Sequence, residues 1–302
     1  MYQRNITYHQ QNNEVLTIRQ LLKKWLIPKK WQHYFRQDQL VLINGKYHPF
    51  NTIVHDQDQI TLNFDFPPRT TDQTYLPGKN PIDVAYEDDE VLIVNKPANI
   101  KTHPNLPTEN DSLFNDVQTY LSPDKPYMVH RIDMMTSGLV LIAKSPYLVP
   151  IFNRQLTQKT LQRTYLAVVR LNQDLPNSGQ INAPIGKDPT DKRKRCITEK
   201  GLPALTDYYI LRKNKKFALL KVTLQTGRTH QIRVHLASKG TPIINDPLYD
   251  EKATNNQMLL NANELTYQKP FTNQQKTTKI PPDPAIKKFV EENDLKKVNL
   301  DK

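Results

Sequence analysis

The sequence predicts an α+β fold in two unequal parts: a small helix-plus-hairpin unit, then a larger domain centred on a mixed sheet with flanking helices. Three observations carry that expectation. Short apolar runs rich in β-branched residues recur over 91–95, 138–143, 164–169 and 217–224, separated by polar and basic connections, which is the pattern of buried strands. Two other segments follow a helical period. Over 111–121, Leu113, Val117 and Leu121 recur at four-residue spacing, and over 229–238, Ile232 and Leu236 share a face before Gly240. Between the two parts, residues 67–80 open on Pro67-Pro68-Arg69, close on Pro77-Gly78-Lys79-Asn80 and show no apolar period, so they read as a linker.

Residues 1–66 hold the small unit. Leu21, Leu22, Trp25 and Leu26 mark a helix, 40–46 reads as a strand ending in the tight-turn pair Asn44-Gly45, and 53–62 passes through a turn into another short strand. Lys23, Lys24, Lys29 and Lys30 interleave with Trp25, Trp31 and Tyr34, which fits an RNA-touching helix and the core of a small module equally well. The large domain covers 81–275. From 276 to 302 runs a tail rich in Lys, Pro and Asp, with one short helical stretch at 285–292 and final residues expected to be disordered.

At 302 residues the chain can bury a sizeable core. Its formal charge of +12 and pI near 9.5 favour polyanionic partners, nucleic acid ahead of anionic membrane. The single cysteine, Cys196, excludes an intrachain disulfide and fits a reducing compartment, and the N-terminus lacks a secretory pattern, so a cytoplasmic location is expected. No apolar run approaches the roughly 20 residues a bilayer-spanning helix requires, so no membrane role is expected. A soluble monomer is the default reading.

The stretch His130-Arg131-Ile132-Asp133-Met134-Met135-Thr136-Ser137-Gly138 carries the chemistry. It joins an isolated carboxylate and basic and imidazole neighbours to a Thr-Ser-Gly turn and an apolar strand, which places the acid at the lip of a sheet. Three further segments accompany it: 159–167 with Arg163 and Tyr165; 225–236, Gln-Thr-Gly-Arg-Thr-His-Gln-Ile-Arg-Val-His-Leu; and 240–249 with Asp246. Together with Asn95-Lys96-Pro97, His103-Pro104, Pro184-Ile185-Gly186 and Leu259-Leu260-Asn261-Ala262, these resemble the ordered motifs of the RluA-type RNA pseudouridine synthases, over about residues 81–271. The front unit resembles a degenerate S4-like RNA-binding module through Asn44-Gly45-Lys46 and Asp58-Gln59-Ile60.

That resemblance implies the pseudouridine synthase fold, with a largely antiparallel central sheet, and an isomerase that detaches uracil from ribose and rejoins it through carbon without cofactor or metal. Asp133 matches the family's catalytic aspartate, serving as nucleophile or as base at the sugar. Arg228 matches the arginine that pairs with it, since a guanidinium orients a carboxylate through parallel hydrogen bonds and favours its charged form. Tyr165 matches the tyrosine that packs against the target base, Ile232 lines the same pocket, and Arg131 matches the residue that fills the gap left by the everted nucleotide. The basic run Lys192-Arg193-Lys194-Arg195 is expected to touch phosphates. Ala98-Asn99 stands where glycine usually follows Lys-Pro, and Met134-Met135 replaces a usually polar pair.

The partner so implied is structured RNA, ribosomal RNA ahead of transfer RNA. Four other readings compete. A non-catalytic RNA-binding factor could keep the fold, but Asp133, Tyr165 and Arg228 are all present. A glycosidase needs a second carboxylate about 5–9.5 Å from the first, and inside the motifs only the remote Asp246 is available. His230 and His235, five apart, lack the one-face spacing of a zinc site. No serine elbow accompanies His130 and Asp133, so a hydrolase triad is not expected and Ser137 reads as a turn residue.

Overall fold

The computed structural model describes residues 2–10, 14–68, 73–272 and 274–298. At the front, strands Tyr2–Thr7, Gln59–Phe64, Val41–Ile43 and Lys46–Tyr47 lie in that order in an antiparallel sheet. Asn44 and Gly45 turn the hairpin with φ of +51° and +79°, values that Asn and Gly tolerate best. Helices Ile18–Lys24 and Lys29–Gln37 pack beside it, the first opened by a capping box between Thr17 and Gln20. Trp25 and Trp31 are buried, so the aromatics interleaved with the lysines build the core, while Lys23, Lys29 and Lys30 stay in solvent.

This module docks on the larger part through aromatic rings. Tyr2, Trp31, Phe64 and Phe66 surround Tyr147, with Phe64 and Tyr147 centroids 4.9 Å apart and Tyr2 stacked on Tyr147 at 5.5 Å. The Tyr147 hydroxyl donates to the Phe66 carbonyl at 2.6 Å, and Arg154 donates to the Ile27 carbonyl at 3.0 Å. Residues 73–80, the second half of the expected linker, lie along helix Leu113–Leu121: Asn115 and Gln118 donate to the carbonyls of Leu76 and Tyr75. Residues 69–72 of that linker fall outside the described residues.

The large sheet has eleven strands among the described residues. Its main path runs Ser178–Asn182, Leu205–Lys213, Phe217–Leu224, Gln162–Arg170, Leu260–Gln268, Ser137–Ala143, Val91–Lys96, Val84–Glu87. Every pairing is antiparallel except that between Ser137–Ala143 and Leu260–Gln268. The fold is therefore α+β with a mixed, largely antiparallel sheet. The continuous apolar run 139–143 reflects burial on both faces. Leu139, Leu141 and Ala143 join Val91 and Ile93 in the core beneath the front module, whereas Val140 and Ile142 join Leu92, Val94, Tyr165 and Ile232 on the opposite face. Gly138 sits at the parallel junction with φ of +113°, and a Cβ there would lie 2.3 Å from the Ala262 carbonyl oxygen, so no other residue fits.

The expected tail at 276–302 belongs to this sheet as far as it is described. Gln275–Lys279 pairs with Leu260–Gln268, helix Pro284–Glu292 buries Ile286, and Lys296–Lys297 pairs with Leu205–Lys213. Only Thr278 of the polar strand Gln275–Lys279 is buried, so no apolar alternation announced it. Residues 299–302 lie outside the described residues.

Candidate active site

Asp133 occupies a turn just before strand Ser137–Ala143, its carbonyl accepting from the Thr136 amide at 3.0 Å. The main chain is gripped on both sides, by the last residue of strand Val91–Lys96 and by the loop that follows it. The Thr102 hydroxyl donates to the Ile132 carbonyl at 2.7 Å, and the Lys96 ammonium donates to the carbonyls of Pro97 and Ile100 at 2.8 Å and of Met134 at 3.2 Å. Burial pushes Lys96 down to about 7 and the Asp133 charge opposes this; three carbonyls accept its three protons. Asn99 turns that loop with φ of +67°, the conformation that asparagine supports where glycine is absent.

The carboxylate's guanidinium partner is Arg233. Its Nη1 reaches Asp133 Oδ2 at 3.3 Å, while Nε and Nη2 fork onto Asp246 at 2.7 and 2.8 Å. Arg233 and Asp246 are both buried, and Asp246 also accepts from the amides of Leu248 and Tyr249. Burial, the largest single effect, works against the Arg233 charge, but the hydrogen bonds and charges of Asp246 and Asp133 together outweigh it and hold the group above its ordinary value. The expected pairing of Arg228 with Asp133 is thus corrected. Arg228 lies in the loop ahead of helix Gln231–Ser238, with its Nε on the Pro203 carbonyl at 3.1 Å, whereas Arg233 sits within the helix on the side of the acid.

His230, the N-cap of that helix, presents Nε2 at 3.9 Å from Asp133 Oδ2, three residues before Arg233 and on the same face. Burial holds its imidazole below the usual value, with the Asp133 charge opposing and that of Arg233 adding to the effect. His235 points elsewhere, its ring between the Thr206 hydroxyl and the Ala183 carbonyl. His130 is also structural: Nε2 accepts from the Leu141 amide at 3.1 Å, and burial pushes it down to about 3, so it stays neutral.

Tyr165 owes its position to a bulge. The register between Gln162–Arg170 and Leu260–Gln268 shifts between Thr164 and Leu166, which re-aims the intervening side chain. Its phenol is pushed up by burial, Arg163 opposing. Asp133, Tyr165, Arg228, Ile232 and Arg131 all line one cleft of about 340 Å³, with Arg163, Arg195, Thr136, His230, Arg233 and Leu260 among the other walls. Five arginines thus surround a single lining carboxylate, which is 28% exposed and open to a reactant. The sequence reading missed Arg233 and His230 as site residues, although their i, i+3 spacing on the expected helix could have found them. Of the basic run, Arg193 projects into solvent and Arg195 reaches the cleft. Ser137 donates to Asp283 at 2.7 Å, tying the strand that follows Asp133 to the N-terminus of helix Pro284–Glu292.

An acid at the lip of the sheet, in a cleft of guanidiniums with an aromatic side wall, is suited to an enzyme that handles a polyanion. Comparison with known proteins makes this specific. Residues 90–238 match the RNA pseudouridylate synthase family, and residues 4–60 match the N-terminal domain of the RluD ribosomal pseudouridine synthases. The chain is 35% identical to the uncharacterized RNA pseudouridine synthase YhcT of Bacillus subtilis, over 74% of this chain and 75% of that one. It is 31% identical to ribosomal large subunit pseudouridine synthase D of Escherichia coli, over 76% and 68% of the two chains. The chain therefore belongs to the RluA-type RNA pseudouridine synthases, with an S4-like front module, and is an isomerase. The solved structure of human RNA pseudouridylate synthase domain containing 1 shares the fold, with a TM-score of 0.59 at 23% identity, over 75% of this chain and 93% of that one. No helix among the described residues is long and apolar enough to cross a membrane.

Proposed function

We propose that this isomerase converts particular uridines of ribosomal RNA to pseudouridine in the cytoplasm, with Asp133 as the catalytic carboxylate. The observation that carries the reading is the placement of Asp133: a solvent-reachable acid, oriented by a buried arginine, in a cleft whose other charged lining groups are cationic. Guanidiniums at the rim hold phosphates and position the strand, which raises affinity without specifying sequence. Arg131, exposed beside the acid, is suited to stack in the gap an everted nucleotide leaves, and the Tyr165 ring offers that base a flat wall. Arg228 holds substrate at the rim, and Ile232 and Leu260 close the floor. Asp133 acts at the sugar while Arg233 fixes its orientation, so that the reacting oxygen needs no rearrangement.

The test is a site-by-site pseudouridine map of total RNA from cells with and without the gene, complemented by the native protein or by Asp133→Asn. Ribosomal sites should vanish on deletion, return with the native protein and stay absent with the variant. Restoration of every site by Asp133→Asn would overturn the assignment of the acid, and losses confined to transfer RNA would overturn the ribosomal target.

A further inference from the structure

We propose that His230 is the base that takes the proton lost from C5 of the uracil ring, a role that rests on the isomerase reading above. The reaction breaks the N1–C1′ bond and forms a C5–C1′ bond. When C5 bonds to C1′ with its ring π electrons it still carries its hydrogen. That hydrogen must leave as a proton, its electron pair restoring the C5–C6 double bond, while N1, which departed with the glycosidic pair, gains a proton. The sum is zero, so the enzyme needs one group that accepts a proton and later releases it.

Among the residues lining the cleft, one side chain other than Asp133 can do this near neutral pH. The five arginines have no lone pair to offer, the Tyr165 phenol is held protonated, and threonine and glutamine side chains are not bases in this range. Asp133 is engaged at the sugar. His230 remains, and its hydrogen bonds choose the nitrogen that reacts. The Tyr249 hydroxyl accepts from the Arg195 amide at 2.8 Å and donates its only proton to the Arg195 carbonyl at 3.2 Å. With the hydroxyl proton on that carbonyl, the His230 Nδ1, 3.1 Å from the same oxygen, carries the hydrogen and donates it. Nε2 then holds a lone pair at the cleft wall. At 3.9 Å from Asp133 it is beyond hydrogen-bond reach and has no other protein partner among the described residues.

The surroundings suit a neutral base that becomes charged for a moment. Burial disfavours the imidazolium most, and Arg233 and Arg195 add to this, so the resting ring is neutral; Asp133 and Asp246 offset part of that cost when it takes a proton, and Tyr249 adds no charge. His230 is also held at φ +57°, a left-handed conformation that is strained for a histidine and that fixes where its ring points. Tyr249 acts as a positioning residue: its ring also lies 5.2 Å from the Arg233 guanidinium, so one side chain orders both groups beside the acid.

A 5-fluorinated uridine separates this step from the rest, because fluorine cannot leave as a cation and the reaction stops once the C5–C1′ bond has formed. The substrate is total RNA from cells lacking the gene, grown with or without 5-fluorouracil, and the product is followed by mass spectrometry. His230→Gln should slow pseudouridine formation by about 10²–10⁴-fold yet rearrange 5-fluorouridine at the native rate. Asp133→Asn should lose both activities; if it keeps both, the isomerase assignment of the site fails, independently of His230. Equal rates of His230→Gln and native protein on ordinary RNA, or equal slowing on both RNAs, would overturn the base assignment. Imidazole ¹⁵N spectra of the folded native protein give a second readout. They should show Nδ1 protonated and Nε2 bare, a preference that Tyr249→Phe should erase while lowering kcat and sparing KM. A native spectrum with Nε2 protonated would also overturn it.

Discussion

The two faces of strand Ser137–Ala143 are equally buried and differently used. Beneath Leu139, Leu141 and Ala143 lies an aromatic seam in which Tyr2, Trp31, Phe35, Phe64, Phe66 and Tyr147 pack ring against ring. Beyond Val140 and Ile142 the packing gives way to buried polar groups, Lys96, Gln231, Arg233 and Asp246, each with its hydrogen bonds met by side chains or main chain. A seam of rings is held mainly by shape, the Tyr147 hydroxyl bond to Phe66 aside. Buried charges are tolerated only where every partner is in place, so the same residues that make the cleft reactive also make it exacting. Stability and activity should therefore separate by face.

The largest effect belongs to the cleft. Asp133→Asn should lower kcat by at least about 10³-fold, and Arg233→Lys by about 10²-fold because lysine lacks the fork that spans both aspartates, with little change in melting temperature for the first. Asp246→Ala should cost about 3–5 kcal/mol of stability in denaturant titration, since it leaves a buried guanidinium short of its main partner, and should depress activity as well. Phe64→Ala should cost a similar 3–5 kcal/mol yet leave kcat unchanged in the folded fraction, the signature of the seam. If it lowers kcat as strongly as Asp246→Ala does, the two faces are coupled and the contrast fails.

A smaller effect sits where the front module meets the sheet edge. Glu90 is pushed up to about 7, chiefly by burial, with the Arg4 charge 2.5 Å away opposing. The folded protein holds that proton between about 4.5 and 7 whereas the unfolded chain has released it, so stability should fall as pH rises through this window, by of order 3 kcal/mol, and Glu90→Gln should flatten the slope. Least of all, Met134→Ala should change stability by less than about 0.5 kcal/mol, because that side chain is 46% exposed.

Much of this was legible in the residues. The strands at 91–96, 137–143 and 217–224 follow apolar runs closely, and the motifs identified the acid and most of the cleft wall. The choice of Arg233 over Arg228 was not, because it depends on where helix Gln231–Ser238 begins and which side of it meets the turn. The bulge that aims Tyr165 leaves no mark in a period-two pattern, and the polar strand Gln275–Lys279 joins the sheet by main-chain pairing with scarcely an apolar residue. In each case tertiary geometry decided what local composition left open.

Because Thr102 and Lys96 grip the carbonyls of Ile132 and Met134 on either side of the acid, the position of Asp133 does not depend on which side chain stands at the exposed position 134. On the proposed reading, the rim can be rewritten one residue from Asp133 without displacing its carboxylate. A lineage of such proteins is thereby free to change what it recognises while keeping one chemistry.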